Sequence, residues 1–252
     1  MSDLIQPAKA ASFSAKFGEN SPVVLLGILA LLCLGISLGS QQFYSVENII
    51  AILRQCALVL IVGCGMTMLL IAAEVDLSVG ASLAFSGVVA MDVTNKTNSV
   101  AAGILAGILF GGAVGLFNGL VVTWLRVNSL IATIATMMIL QGGVFLYSRE
   151  AVQNHHQLRA FTELSTGYVG PIPVPVLITA VVFAATYVVL RFTTLGRYIY
   201  AVGANRQAAR LSGLNPERLK LLVFVVTGLL TGLAGLILAS LMNAGQPTAG
   251  RG

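Results

Sequence analysis

Long apolar blocks separated by short polar breaks run through almost the whole chain. The hydrocarbon core of a bilayer takes about 20 mostly apolar residues per helix, and about seven blocks of that kind follow one another. They run from Pro22 to Gly39, from Val46 to Ala73 with an interruption near the start at Arg54, and from Leu77 to the polar run Asp92 to Ser99. The rest are Val100 to Leu125, Ser129 to Tyr147, Pro173 to Leu190 and Leu221 to Met242. The pattern predicts an all-α fold, a polytopic transmembrane helix bundle over residues 22–252 behind a tail at 1–21. That tail carries Lys9 and Lys16 and is too long and polar for an ordinary cleaved signal peptide, so the first block is expected to stay as a helix.

Composition agrees and removes whole classes of function. Hydrophobic residues make up 57% of the chain, charged residues only 9%, and the mean hydropathy is +0.92, whereas a soluble domain devotes roughly a quarter of its residues to charge. The net charge of +5 does not point to nucleic acid, because the basic residues sit between apolar blocks without interleaved aromatic rings to stack bases. They read as topology signals. Short cytoplasmic loops are rich in lysine and arginine, and residues 191–220 hold Arg191, Arg197, Arg206, Arg210, Arg218 and Lys220. With that loop inside, counting crossings backward puts Arg126 and the N-terminal tail inside, and the Asp92–Ser99 and Arg149–Gly170 loops outside.

Catalysis by this chain alone is not expected. There is no G-x-x-x-x-G-K-[ST] and no H-E-x-x-H. Cys33, Cys56 and Cys64 lie in apolar stretches, and His155 and His156 are adjacent in a polar loop, so no metal site is predicted. Any action driven by ATP therefore needs a separate ATPase.

Polar residues inside apolar blocks are the candidate chemistry. A charge in hydrocarbon costs on the order of 3 kcal/mol, so Glu74 and Asp76 need a reason to be there. One reading makes Glu74-Val75-Asp76 a short turn in which Asp76 and Ser78 cap the third helix. The other makes it a helix break within the membrane, facing a wet path. Asn118, Asn128, Thr133, Thr136 and Gln141 fit interhelical hydrogen bonds as well as solute contacts. In the fourth block Gly103, Gly107, Gly111, Gly115 and Gly119 recur every four residues, which predicts one small helix face for close packing, and Gly228 and Gly232 repeat the device in the seventh.

The 191–220 loop holds two helix signals back to back. Asn205 is placed to cap a stub helix through Arg206, Ala208, Ala209, Arg210 and Leu211, with Gly213 as its left-handed stop. Asn215-Pro216-Glu217 then reads as the start of the last helix. The stub is either an interfacial surface helix or a docking surface for a cytoplasmic partner.

Three stretches give the chain a specific resemblance. They are Glu74-Val75-Asp76-Leu77-Ser78-Val79-Gly80; Gly115-Leu116-Phe117-Asn118-Gly119 with Leu125-Arg126-Val127-Asn128 and Ile131 to Met137; and Thr193 to Pro247, through Leu195-Gly196-Arg197-Tyr198, Ala201-Val202-Gly203-Ala204-Asn205, Ala208 to Gly213 and Gly245-Gln246-Pro247. The chain resembles the sugar-uptake permeases of bacterial ABC transporters, of the ribose, xylose and arabinose type. The resemblance implies a multi-pass inner-membrane subunit, N-terminus cytoplasmic, that passes a sugar delivered by an extracytoplasmic binding protein. It implies pairing with a second permease subunit and with an ABC ATPase that uses the ATP, no cofactor being bound by this chain; membrane lipid surrounds it.

It further implies that Gly203, Asn205, Ala208, Ala209, Arg210, Leu211 and Gly213 form the segment that couples to the ATPase, and it gives weight to the region of Glu74, Asp76 and Ser78 as a translocation-path element, with Asn118, Asn128, Thr133 and Gln141 as the further path candidates. Members of the family continue past the Gln-Pro segment with further hydrophobic helices, so C-terminal helices are expected to be missing here. An ion-coupled secondary transporter and a non-transporting truncated scaffold are the alternatives.

Overall fold

The computed structural model describes residues 21–250 apart from Gln157, with side chains from Val24 onward. Residues 1–20 of the expected tail, with Lys9 and Lys16, lie outside the described residues, as does Arg251. Ten α-helices form among the described residues, and they divide between two units, 1–52 and 53–252.

The first unit holds α1 (Ser21–Gly39), a single 3-10 turn (Gln41–Tyr44) and the opening of α2 (Val46–Ile71). The Tyr44 hydroxyl donates to the Ser37 carbonyl at 2.6 Å, and the Asn48 amide donates to the Phe43 carbonyl at 2.9 Å, which closes the turn on the two helices beside it.

The second unit is built around α10 (Pro216–Met242), which packs on α3 (Val79–Thr97) and α4 (Val100–Thr123). The glycines explain how these three helices approach. A Cβ at Gly111 would meet the backbone of Gly228 and Gly232, one at Gly115 would meet Phe224 and Gly228, and one at Gly103 or Gly107 would meet α3 at Ala90. Lipid offers no hydrophobic drive for helices to associate, so such backbone contact supplies the van der Waals attraction that holds them.

The five glycines of α4 do not serve a single neighbour, as the sequence led one to expect. Gly103 and Gly107 face α3, whereas Gly111, Gly115 and Gly119 face α10. A four-residue step overshoots the 3.6-residue turn by about 40°, so the stripe winds from one partner to the next.

Around this centre lie α5 (Ser129–Tyr147), α7 (Val174–Phe192), α8 (Thr194–Ala204) and α9 (Arg206–Leu211). At the end where α3 and α10 finish, residues 148–173 fold over as β1 (Val152–Gln153), α6 (Arg159–Thr166), β2 (Tyr168–Val169) and β3 (Ile172–Pro173). β1 pairs antiparallel with β4 (Ala244–Gly245), and β2 with β3. Phe161 of α6 is fully buried, and the Ser240 hydroxyl donates to its carbonyl at 2.6 Å. The segments at 92–99 and 148–173 meet through Asn95, which donates to the Gln153 carbonyl. The breaks at 72–78, 124–128 and 193–215 gather at the opposite end, as the alternation of crossings required.

Among the described residues, five helices are long and apolar enough to cross a membrane: α2, α4, α5, α7 and α10. Of the other two expected spans, the first is apolar over Val24–Gly39, and α3 is more polar. Large exposed residues of the five long helices, such as Leu109, Ile139, Val181 and Phe183, form the surface that lipid would cover.

Three local expectations are corrected. Arg54 does not interrupt α2; its guanidinium donates to the Thr166 carbonyl at 3.0 Å and lies 5.2 Å from the Tyr168 ring centre, so the charge is met without breaking the helix. The polar run at 92–99 is mostly helix, because the Asp92–Lys96 ion pair at 2.7 Å supports a further turn of α3 before Asn98 ends it in the left-handed region. The loop at 193–220 contains α8 as well as the stub, because Thr193 caps it and Ile199 and Val202 bury its inner face.

Candidate functional site

α2 ends at Ile71 in a turn built like a Schellman motif. Glu74 N–H donates to the Leu69 carbonyl at 2.9 Å and Ala73 N–H to the Leu70 carbonyl at 3.0 Å, with Ala73 in the left-handed region at φ 58. The chain then crosses 75–78 without regular structure, and side chains of other helices take up its backbone groups. Val75 N–H donates to the Ser129 hydroxyl at 3.4 Å and Leu77 N–H to the Thr133 hydroxyl at 3.1 Å.

Asp76 lies at the centre of this break. One carboxylate oxygen accepts from Ser78 N–H at 2.8 Å and from the Ser78 hydroxyl at 2.6 Å. The other accepts from the Asn118 amide at 3.2 Å, and that amide also donates to the Ser78 hydroxyl at 2.9 Å. Asp76, Ser78, Asn118 and Thr133 are all buried. Asp76 therefore holds the N–H of Ser78, the N-cap residue of α3, while Ser78 itself makes no side-chain capping bond. One acceptor is left over, since the carbonyl oxygen of the Asn118 side chain is buried without a partner.

The other path candidates fall differently. Glu74 turns away from Asp76 and pairs with Lys220 of α10, both side chains being about nine-tenths buried. Asn128 is exposed and caps α5, accepting from Leu130 N–H at 2.9 Å. Thr136 donates to the Ala132 carbonyl within its own helix, and Gln141 lies two turns beyond Thr133, away from the cluster. Sequence reasoning missed Lys220 and Ser129. Lys220 was one basic residue among six in its loop, and nothing in its spacing marked Glu74 as its partner.

The stub forms as expected. Asn205 accepts from Ala208 N–H at 2.9 Å, Asn215 accepts from Arg218 N–H at 3.0 Å, and Gly213 stands at φ 82. Ala209 is buried against the bundle, whereas Leu211 is 85% exposed. Glu217 holds both Arg206, at 2.7 Å, and Arg210, which braces α9 on the first turn of α10. Arg126, Arg206, Gln207, Arg210 and Leu211 line a groove of about 530 Å³ at this surface. Gly203 is not part of that surface. It presses against the end of α2, where any Cβ would collide with the Ile71 carbonyl oxygen.

No group of three or more His, Cys, Asp or Glu among the described residues is placed to hold a metal ion.

Comparison with known proteins adds an independent line. The family described as "Branched-chain amino acid transport system / permease component" matches residues 48–252. The ribose import permease protein RbsC of Haemophilus influenzae is 38% identical over 237 residues, covering 92% of this chain and 72% of that protein. The L-arabinose ABC transporter permease protein AraH of Azospirillum brasilense is 38% identical over 244 residues, covering 96% and 71%. The L-arabinose transport system permease protein AraH of Escherichia coli is 32% identical over 241 residues, covering 96% and 72%. No solved structure matches the chain.

Proposed function

This chain belongs to the permease-component family of branched-chain amino acid transport systems, and from that membership we propose that it is the membrane-spanning subunit of an ATP-driven importer for a sugar. The observation that carries the reading is identity of 32 to 38% with ribose and arabinose permeases over nearly the whole chain. Both named sugars are pentoses, so a pentose is the favoured cargo.

The subunit sits in the bacterial inner membrane with its N-terminus and the 191–220 loop on the cytoplasmic side. Its partners are an ABC ATPase, a second permease subunit and an extracytoplasmic binding protein. It holds no cofactor; the ATPase consumes the ATP. Seating of α9 in that ATPase is supported by Leu211 standing out from the surface and by the arginines bordering the groove beside it. Closure of the ATPase pair displaces α9 and shifts the bundle between states open to either side, driven by the different affinities of those states for ATP. The 74–78 break, with Asn118 and Thr133, is the stretch of path where a neutral sugar meets hydrogen-bonding groups; Asn128, at the cap of α5, and Gln141, two turns beyond Thr133, are further path candidates outside that cluster.

The geometry disfavours an ion-coupled mechanism on Glu74 and Asp76. Lys220 neutralises the first, and Ser78 and Asn118 occupy the second. Proteoliposomes carrying the subunit, its cognate ATPase and its binding protein test the proposal. Pentose uptake that requires internal ATP and survives collapse of ion gradients is expected. Uptake that persists without the ATPase and vanishes with the gradient overturns it.

A further inference from the structure

The surface helices and the buried break lie at the same end of the second unit and are joined in two ways. The first is steric. Gly203, in the last turn of α8, rests on the carbonyl of Ile71, and Ile199 of the same helix lies in one apolar cluster with Met68, Leu69 and Ala72 at the end of α2. The α2 terminus cannot stay in place if α8 moves inward. The second is electrostatic. Glu217 grips Arg206 and Arg210 of α9, and one helical turn further along α10 Lys220 grips Glu74. Glu74 is two residues from Asp76, whose carboxylate fixes the start of α3 and is held by Asn118 of α4.

A charge pair this deeply buried is a poor source of stability, since desolvation of both ions offsets most of their attraction, and apolar replacements are often as stable. What it supplies is register. It fixes the first turn of α10 against one residue of the break, and it admits only small displacements before an unpaired charge is left in a buried place.

We propose that the Glu74–Lys220 pair and the Gly203–Ile71 contact form the joint through which movement of α8 and α9 reaches the Asp76 break, which makes Glu74, Lys220 and Gly203 positioning residues for transport. The inference rests on α9 being the segment that engages the ATPase. Glu217 and Lys220 lie one turn apart on the same helix, so a displacement of α9 that its ion pairs carry to Glu217 passes along α10 to Glu74. The Asp76 cluster then has to follow or break its bonds to Asn118 and Ser78.

The experiment uses the complete reconstituted transporter and compares two double variants, so that neither leaves a lone buried charge. Glu74→Gln with Lys220→Gln removes the ion pair and keeps the size of the side chains; Glu74→Lys with Lys220→Glu restores it reversed. The readouts are ATPase retained on co-purification and pentose taken up per ATP hydrolysed. The neutral pair is expected to retain the ATPase and to lower the uptake ratio about tenfold, a typical coupling energy between linked sites, and the swapped pair to regain at least about half of it. A neutral pair with the wild-type ratio, a neutral pair that no longer assembles with the ATPase, or a swapped pair no better than the neutral one each overturns the joint. Leu211→Asp separates this from the premise. If it still retains the ATPase, the assignment of α9 fails, whatever the ratio shows for the pair.

Discussion

Asn118 and Asp76, 42 residues apart in sequence, meet side chain to side chain at 3.2 Å in the interior of the bundle. That bond ties α4 to the break before α3, and the Asp76 carboxylate is the acceptor on which the whole cluster depends. Asp76→Ala would strand Ser78 N–H, the Ser78 hydroxyl and one bond of Asn118, at about 1–3 kcal/mol for each buried group left without a partner. A lower unfolding temperature in detergent is expected, with Asp76→Asn milder because it keeps one acceptor oxygen for Ser78. Equal melting of Asp76→Ala and the parent protein would remove the cluster from the list of structural determinants.

The glycine seam between α4 and α10 makes a sharper prediction. Gly111→Val and Gly228→Val place methyl groups on opposing backbone and should each prevent the helices from closing, costing more than the 1–3 kcal/mol typical of overpacking. Gly142 on α5 has open space around it, so Gly142→Ala should be neutral or add up to about 1 kcal/mol through helix propensity. Monodispersity on size exclusion, read together with thermal scans, checks both arms.

Ala73 holds a left-handed conformation that suits glycine, at a cost of roughly 1 kcal/mol. Ala73→Gly should therefore raise stability slightly, the gain being reduced by the greater freedom of glycine in the unfolded chain. Gly213→Ala, at φ 82 in open space, should lower it by a similar amount. Opposite shifts in melting temperature are the expected pair of results.

Glu217 is the anchor of α9. Its ion pairs with Arg206 and Arg210 are partly exposed and contribute at most about 1 kcal/mol each, so Glu217→Ala should leave global melting almost unchanged. It should instead loosen the segment locally. Faster limited trypsin cleavage after Arg206 and Arg210 is expected, and an unchanged digestion rate would mean that the packing of Ala209 holds α9 by itself.

How much of this was legible beforehand differs from residue to residue. Asn205, Gly213 and Asn215 were readable as caps and stop because those roles depend on a few neighbouring backbone groups, and the structure places all three in them. Ala73 takes the same left-handed role as Gly213 yet was unreadable, since alanine carries no preference for it. Residues 194–204 read as loop because their helix depends on burying Ile199 and Val202 against distant segments.

The sequence by itself determined that the chain is an all-α membrane bundle, where most of its helices lie, and that it resembles sugar permeases. Those properties follow from local apolar runs and short motifs. Only the tertiary structure decided the pairings: that Asp76 faces Asn118, that Glu74 answers Lys220, and that the glycines of α4 are shared between α3 and α10. Each joins residues brought together by helix packing, and the distance between two side chains on different helices is set by that packing rather than by anything written along either one.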